Sequence, residues 1–247
     1  MSTIYNDIIH NKQRGQKLLA VLLDPDKILL EEIPNVIEKI NYSMVTHIFV
    51  GGSDVEPDKT HQLVALVKSK TVLPVILFPG DIAQLTNAAD ALLLLSLISG
   101  RNPDYIIGKH VEAIPFLKSS SLEIISTAYL LIENGKKTSV EQVSKTQPLK
   151  RSNTDAIVNT ALAGEYLGLK LIYLEAGSGA THPIDAHIIQ TLRHETTLPI
   201  IVGGGIRSFE ALQNAYNAGA DMVVIGTAFE QNISFLDEIK QYNERIS

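Results

Sequence analysis

The chain has 247 residues, 45% of them hydrophobic, which is enough to bury a large core and suits one α/β barrel as well as two small domains. Its formal net charge is −6 with 19% charged residues, and no basic run exceeds Lys136-Lys137 or Lys150-Arg151. That excludes the electrostatic footprint of a nucleic-acid binder and points to a small ligand. With no cysteine, disulfides, thiolate nucleophiles and thiolate zinc sites are excluded, and a reducing compartment is compatible.

The polar start MSTIYNDIIHNKQRG lacks the apolar centre of a signal peptide, and the longest strongly apolar run, Ala91 to Ile98, is far short of the ~20 residues that span a bilayer. No amphipathic anchor is evident. The expectation is a soluble cytoplasmic protein.

In chain order, a short helix over Thr3 to Gln13 precedes LLAVLLD, the first strand, which ends in Asp24 and a proline turn. Helical ILLEEIPNVIEKI leads to THIFVGGS, the second strand, ending in two glycines and Ser53. DKTHQLVALVKSK is helical and LPVILFPG is the third strand. DIAQLTNAA is too short for a full helix and leads to ALLLLSL, the fourth strand. Helical YIIGKHVEAIPFLK then precedes LEIISTAYLLI, the fifth strand. The polar stretch Glu133 to Asn153 is long for a connection, and is either a substrate-covering segment or a solvated excursion. Helical TDAIVNTALAGEYLG feeds LKLIYLE, the sixth strand, and helical PIDAHIIQTLRHE feeds LPIIVGGG, the seventh. Ser208 is a candidate N-cap for SFEALQNAYNAGA, DMVVIGT is the eighth strand, and a helix over about Ile233 to Asn243 closes the chain.

Strands followed each time by a helix or its remnant predict a parallel sheet covered by helices. An open doubly wound sheet has the same periodicity. The count of eight favours a (β/α)8 TIM barrel, as does the fall of every notable polar or glycine cluster at a strand's C-terminal end, where barrel active sites form. The expectation is one barrel domain over residues 1–247 with a reduced third helical connection.

YLEAGSGA, Tyr173 to Ala180, is the richest stretch. Alternation on a strand points Tyr173 and Glu175 one way and Leu174 the other. Gly177 and Gly179 leave backbone N–H groups able to approach an anion. A base beside an anion cradle suggests catalysis on a phosphorylated substrate. GGGIRS after the seventh strand and Gly226-Thr227 after the eighth fall where barrels commonly bind phosphate. Arg207 either adds a charge-assisted bond there or lies on the surface. Asp24 and Ser53 are neighbours on the same rim in a barrel, and either ligate a hard cation or serve as turn and cap residues. The seven histidines show no paired ligand spacing, and His47 reads as packed within its strand.

Taken together, LLDPDK, VGGS, SGRNPDYIIGKH, YLEAGSGA, VGGGIRS and IGTA resemble the geranylgeranylglyceryl phosphate synthase family over nearly the whole chain. The resemblance implies a barrel prenyltransferase that joins the C3 hydroxyl of sn-glycerol 1-phosphate to a polyprenyl diphosphate, geranylgeranyl in the simplest case, with Mg²⁺. It makes Asp24 and Ser53 look like the metal ligands. The run Tyr173, Leu174, Glu175, Ala176, Gly177, Ser178 and Gly179 looks like part of the glycerol phosphate site, with Gly204, Gly205, Gly226 and Thr227. Family members usually self-associate, and a lipid product makes transient membrane contact reasonable. Two departures stand out: Leu22 sits where some members have lysine, and the eighth strand ends GT where some have GN.

In this chemistry Glu175 is the expected general base and Tyr173 orients the glycerol hydroxyls. Phe78, Pro79 and the neighbouring fourth strand offer an apolar trough for the prenyl chain, or are ordinary core. Phosphosugar isomerisation is a second reading, weakened because the fifth strand offers STAY and no carboxylate before Glu133. A non-catalytic phosphometabolite binder needs no buried base, and a flavin barrel would use similar glycines.

Overall fold

Each apolar run forms a strand, and the strands pair edge to edge, all parallel, from β1 to β8, with β8 closing on β1. The computed structural model describes residues 3–52 and 58–226. The strands are β1 (Leu18–Leu23), β2 (His47–Val50), β3 (Val75–Leu77), β4 (Ala91–Leu97), β5 (Glu123–Leu131), β6 (Leu171–Glu175), β7 (Ile200–Gly203) and β8 (Met222–Ile225). The helices are α1 (Ile4–Gln13), α2 (Ile33–Asn41), α3 (Lys59–Lys68), α4 (Lys109–Leu117), α5 (Ser139–Ser144), α6 (Thr154–Tyr166), α7 (Ala186–Glu195) and α8 (Phe209–Asn217). The closing helix expected near residues 233–243 lies outside the described residues, as do Ser53 and Thr227.

Strand alternation divides the interior into two layers. Phe49, Ile76, Leu93, Tyr129, Tyr173, Ile201 and Met222 fill the lumen. Their neighbours, such as Ile48, Leu92, Leu130, Leu174 and Val202, face the helices. Burial on both sides explains the near-continuous apolar runs, since each such side chain stabilises the fold by about 1.5–3 kcal/mol. α2 meets that outer layer with Ile33, Val36, Ile37 and Ile40, one stripe at helical spacing. α1 closes the N-terminal end of the barrel: Ile8 is buried, and the Glu123 carboxylate accepts from the backbone N–H of Ile4 at 2.6 Å and Tyr5 at 3.1 Å. Ser208 caps α8 by accepting from Ala211 N–H, as its position in the sequence leads one to expect.

Between β3 and β4 the helix is reduced to one 3₁₀ turn, Ile82–Gln84, capped by Asp81. The helical pattern expected from Tyr105 divides into a π-turn, Asp104–Gly108, and α4. Such wide turns often occur at functional sites.

Two fastenings at the N-terminal end of the barrel repeat at opposite positions. Asp90, just before β4, accepts from Val75 N–H at 2.8 Å and pairs with Lys68 of α3 at 2.6 Å. Asp221, just before β8, accepts from Ile200 N–H at 2.8 Å and pairs with Arg193 of α7 at 2.8 Å. Their carbonyls accept from the first residues of the next strands, Glu123 and Leu18. The Asp221 side chain is only 9% exposed against 32% for Asp90, so solvent screens the second fastening less. Asp221→Ala is expected to lower the unfolding free energy by about 2–4 kcal/mol, because a buried amide loses its acceptor and Arg193, still bonded to the Thr196 and Leu198 carbonyls, loses its counter-ion. Asp90→Ala is expected to have the smaller effect, and urea unfolding of both variants checks the order.

Candidate active site

The register Leu131↔Glu175↔Gly203 brings Glu175 to the C-terminal rim, flanked by β5 and β7. Tyr173 points into the same lumen and Leu174 to the helix side, so the alternation read from the sequence holds. Glu175 is 7% exposed, and burial pushes its carboxyl up from 4.5 to about 7, against the opposing pull of Gly177 N–H and the neighbouring Tyr173 phenol. Gly177 N–H donates to Glu175 Oε1 at 2.6 Å. That amide was expected to face an anion; it is engaged by the carboxylate instead. The Tyr173 hydroxyl is buried beside Glu175 without a hydrogen bond of good geometry, so a polar group in the cavity is left to satisfy it. Burial and the adjacent Glu175 push the Tyr173 and Tyr129 phenols well above their ordinary range, and both stay neutral.

The glycine rim is built by close approach. Gly204, at φ +83°, has a backbone conformation that residues with a side chain rarely adopt, and a Cβ there would stand 2.6 Å from Glu175 Oε1 and 2.7 Å from Gly177 N. Gly177, Ser178, Gly179, Gly204, Gly205 and Gly226 all line one cavity of about 560 Å3, joined at its edge by exposed Arg207. Leu174 and Ala176 do not line it. Their side chains sit in the layer between sheet and helices, because the pleat sends alternate residues of the run away from the lumen.

On the opposite side of the mouth, Asp24 follows β1 and lies beside the end of β2: a Cβ on Gly52 would come within 2.8 Å of Asp24 Oδ1. Gln84 fixes Gly52 in place, accepting from its N–H at 3.2 Å and donating to its carbonyl at 2.7 Å. Asp24 accepts from Asp26 N–H at 3.1 Å and attracts the Lys27 ammonium at 3.0 Å. Among the described residues no cluster of three or more His, Asp or Glu side chains could hold a metal. A single carboxylate beside an open glycine edge nevertheless fits a hard cation that takes its remaining oxygens from phosphate and water.

From this polar mouth the cavity continues into an apolar trough. Phe78, Pro79, Ile82 and Leu85 line it, with Leu93, Leu95 and Leu97 from the lumen face of β4 and Leu92 and Leu94 from its outer face. Side chains of both faces share one cavity where the connection between β3 and β4 is a single 3₁₀ turn in place of a full helix. Tyr105, Lys109, His110 and Ala113 form its far wall. Lys109 pairs with Asp81 across the trough and its ammonium lies 5.3 Å from the Tyr105 ring centroid.

The stretch Glu133 to Asn153 contributes to the cavity wall through α5. α5 turns Ser139, Val140, Gln142 and Val143 toward the cavity, Asn134 donates to the Ala176 carbonyl, and Tyr105 donates to the Val143 carbonyl at 3.0 Å. Sequence reasoning missed Asn134, Thr138, Lys109 and Tyr129. Thr138-x-x-Glu141 carried a readable signal, since it forms the capping box that starts α5. His47 is buried, as expected. Glu123, the carboxylate of β5, lies at the opposite end of the barrel on α1, so β5 brings no acid to this rim and the isomerase reading loses its second carboxylate.

The fold and the sequence both have close counterparts. A crystal structure of (S)-3-O-geranylgeranylglyceryl phosphate synthase from Thermoplasma acidophilum, in complex with substrate sn-glycerol-1-phosphate, superposes with a TM-score of 0.92 at 31% identity, covering 99% of this chain and 98% of that one. The geranylgeranylglyceryl phosphate synthase of Flavobacterium johnsoniae is 55% identical over 96% of this chain and 98% of its own length. That of Zunongwangia profunda is 51% identical over 93% and 98%. The PcrB family model matches residues 7–243, and the chain belongs to the PcrB family.

Proposed function

We propose that this protein forms an ether bond between the C3 hydroxyl of sn-glycerol 1-phosphate and C1 of a polyprenyl diphosphate, geranylgeranyl in the simplest case, releasing diphosphate. The observation that carries the reading is a single cavity with a glycine-lined polar mouth, an apolar trough and a buried carboxylate where the two meet. The names carried by its relatives agree with it.

Glycerol phosphate takes the polar mouth, its phosphate against the backbone of Gly179, Gly204, Gly205 and Gly226 with Arg207 at the edge. Leu22 lines the cavity beside Gly226, so recognition at that corner falls to amides rather than to a lysine. The Tyr173 hydroxyl meets a glycerol hydroxyl and Glu175 takes the C3 proton. A carboxyl poised at about 7 is well matched to this task near neutral pH. As the C3 oxygen bonds to C1, the C1–O bond to diphosphate breaks and its electron pair leaves with the diphosphate. Asp24, with Ser53 beyond the described residues, would hold Mg²⁺, which supplies charge neutralisation for the leaving group. Phosphate binding fixes the nucleophile and the trough fixes the electrophile, so positioning contributes alongside proton removal.

The direct test incubates the protein with Mg²⁺, sn-glycerol 1-phosphate and prenyl diphosphates of several lengths. Mass spectrometry is expected to detect a prenylglyceryl phosphate that disappears on chelation; no product at any length defeats the reading. Glu175→Gln is expected to lower kcat by roughly 10²–10⁴-fold while calorimetry finds glycerol phosphate binding largely kept. For the wild type, kcat/KM should rise with pH through about 7 as Glu175 ionises. Stability should move the other way. A buried acid raised from 4.5 to about 7 contributes fully below the lower value and loses that contribution as pH climbs through the upper one, by about 3 kcal/mol. Urea unfolding at pH 4.5 and 8 should register this fall in the wild type beyond any in Glu175→Gln. Gly204→Ala, whose Cβ would strike Glu175 and Gly177, should raise KM for glycerol phosphate at least about tenfold, read from initial rates.

A further inference from the structure

A cavity that takes both a phosphate and a diphosphate needs positive charge, and among the described residues its wall supplies three lysine or arginine cations: Lys27, Lys109 and Arg207. Two of them are committed elsewhere. Lys109 is tied to Asp81 at the reduced connection, in the wall of the apolar trough. Arg207 stands at the edge of the glycine rim, beside the place of the glycerol phosphate. Lys27 stands with Asp24 at the corner where the leaving group must arrive, and proton removal and phosphate binding give it no task.

A sharp turn puts it there. Pro25 follows Asp24, the Asp24 carbonyl accepts from Lys27 N–H at 3.0 Å, and the side chain of Lys27 brings its ammonium to 3.0 Å from Asp24 Oδ2. The Lys27 side chain is 46% exposed against 14% for Asp24, so the carboxylate is fixed in the wall and the ammonium is the movable partner. An ion pair this open contributes little to stability, and the backbone bond closes the turn without it. The next carboxylate of the turn, Asp26, also lines the cavity and is neutralised by Lys59 of α3, 2.8 Å away and outside the cavity wall. Two carboxylates and two ammoniums leave this corner close to neutral at rest. A multiply charged diphosphate finds an attractive field there only when that balance is changed.

We propose that Lys27 is a grip on the diphosphate leaving group: it holds Asp24 in the resting protein and passes to the diphosphate oxygens once Asp24 takes up a hard cation. The inference rests on the prenyl-transfer reading and adds to it a catalytic residue for the departing group. Asp24 cannot serve an ammonium and a dication with the same oxygens, and two positive charges at that range repel. Released, Lys27 offers three N–H donors and a positive charge on a flexible stem. The diphosphate gains the C1–O electron pair as that bond breaks, so its oxygens accept more strongly after cleavage than before, and the grip tightens as the reaction proceeds.

The test compares Lys27→Met and Lys27→Arg with the wild type in the full chain. Three quantities are read: affinity for Mn²⁺ alone, from the relaxation of water protons; affinity for inorganic diphosphate with Mg²⁺ present, by calorimetry; and kcat with both substrates. Removing the ammonium frees Asp24, so Lys27→Met is expected to bind Mn²⁺ about two- to fivefold more tightly. The same change is expected to weaken diphosphate binding by about ten- to a hundredfold and to lower kcat by at least about tenfold, with KM for glycerol phosphate little changed. Lys27→Arg, which keeps the charge, should retain most of the diphosphate affinity. A residue that only shaped the turn would move both affinities the same way or neither, so any pattern in Lys27→Met other than opposite shifts overturns the proposal. Opposite shifts in a protein that makes no prenylglyceryl phosphate would uphold the grip and remove the transfer reading, so the two fail separately.

Discussion

A carboxylate held out of water at the mouth of a closed barrel is the constraint to which the rest of the site adjusts. Burial pushes the Glu175 carboxyl up, and the Gly177 amide and the Tyr173 phenol pull against it, leaving it at about 7. Each of those partners imposes a further demand. Gly177 must curve back to its own strand, which needs positive φ and leaves no space opposite for a Cβ on Gly204. Tyr173 must share the lumen face with Glu175, which fixes the register of β6 between β5 and β7. A slip of one residue would send both side chains into the helix layer. The glycines around the mouth therefore serve the base as well as any phosphate.

The fold was legible because its signal is repeated. Buried parallel strands read as apolar runs, and each was followed by a helical stripe such as that of α2. The reduced connection after β3 was legible for the same reason, since DIAQLTNAA has too few residues for a stripe. At the site, strand alternation gave the facing of Tyr173 and Glu175 correctly, because it is a local property. Whether an amide is free is a three-dimensional property, so the capture of Gly177 N–H by Glu175 could not be read. Nor could the inclusion of α5 in the cavity wall, which depends on long-range bonds from Asn134 and Tyr105. Composition marked that stretch as polar, and its helix is too short for periodicity to announce it.

The missing helix after β3 changes what the neighbouring strand can do. In a complete barrel the outer face of β4 would be sealed, and the lumen would hold only what fits inside it. Here leucines from both faces of one strand border the same cavity, so its apolar end runs from the interior toward the periphery. Asp81 and Lys109 bridge that end with an ion pair instead of packing. An opening of this form accommodates a long flexible tail without enlarging the part of the site where chemistry takes place.

The paired fastenings at the base of the barrel divide its eight strands into two equivalent sets of four. Lys68–Asp90–Val75 and Arg193–Asp221–Ile200 stand four strands apart in a closed ring of eight, and the strands that their carbonyls hold, β5 and β1, are four apart as well. The opposite rim does not share this repeat: the carboxylate at the end of β1 and the trough around β3 and β4 belong to the first four strands, and the base and most of the glycine rim to the last four. A scaffold that repeats at one end and differs at the other gives each half of the rim to one of two chemically unlike substrates while the strands between them stay common.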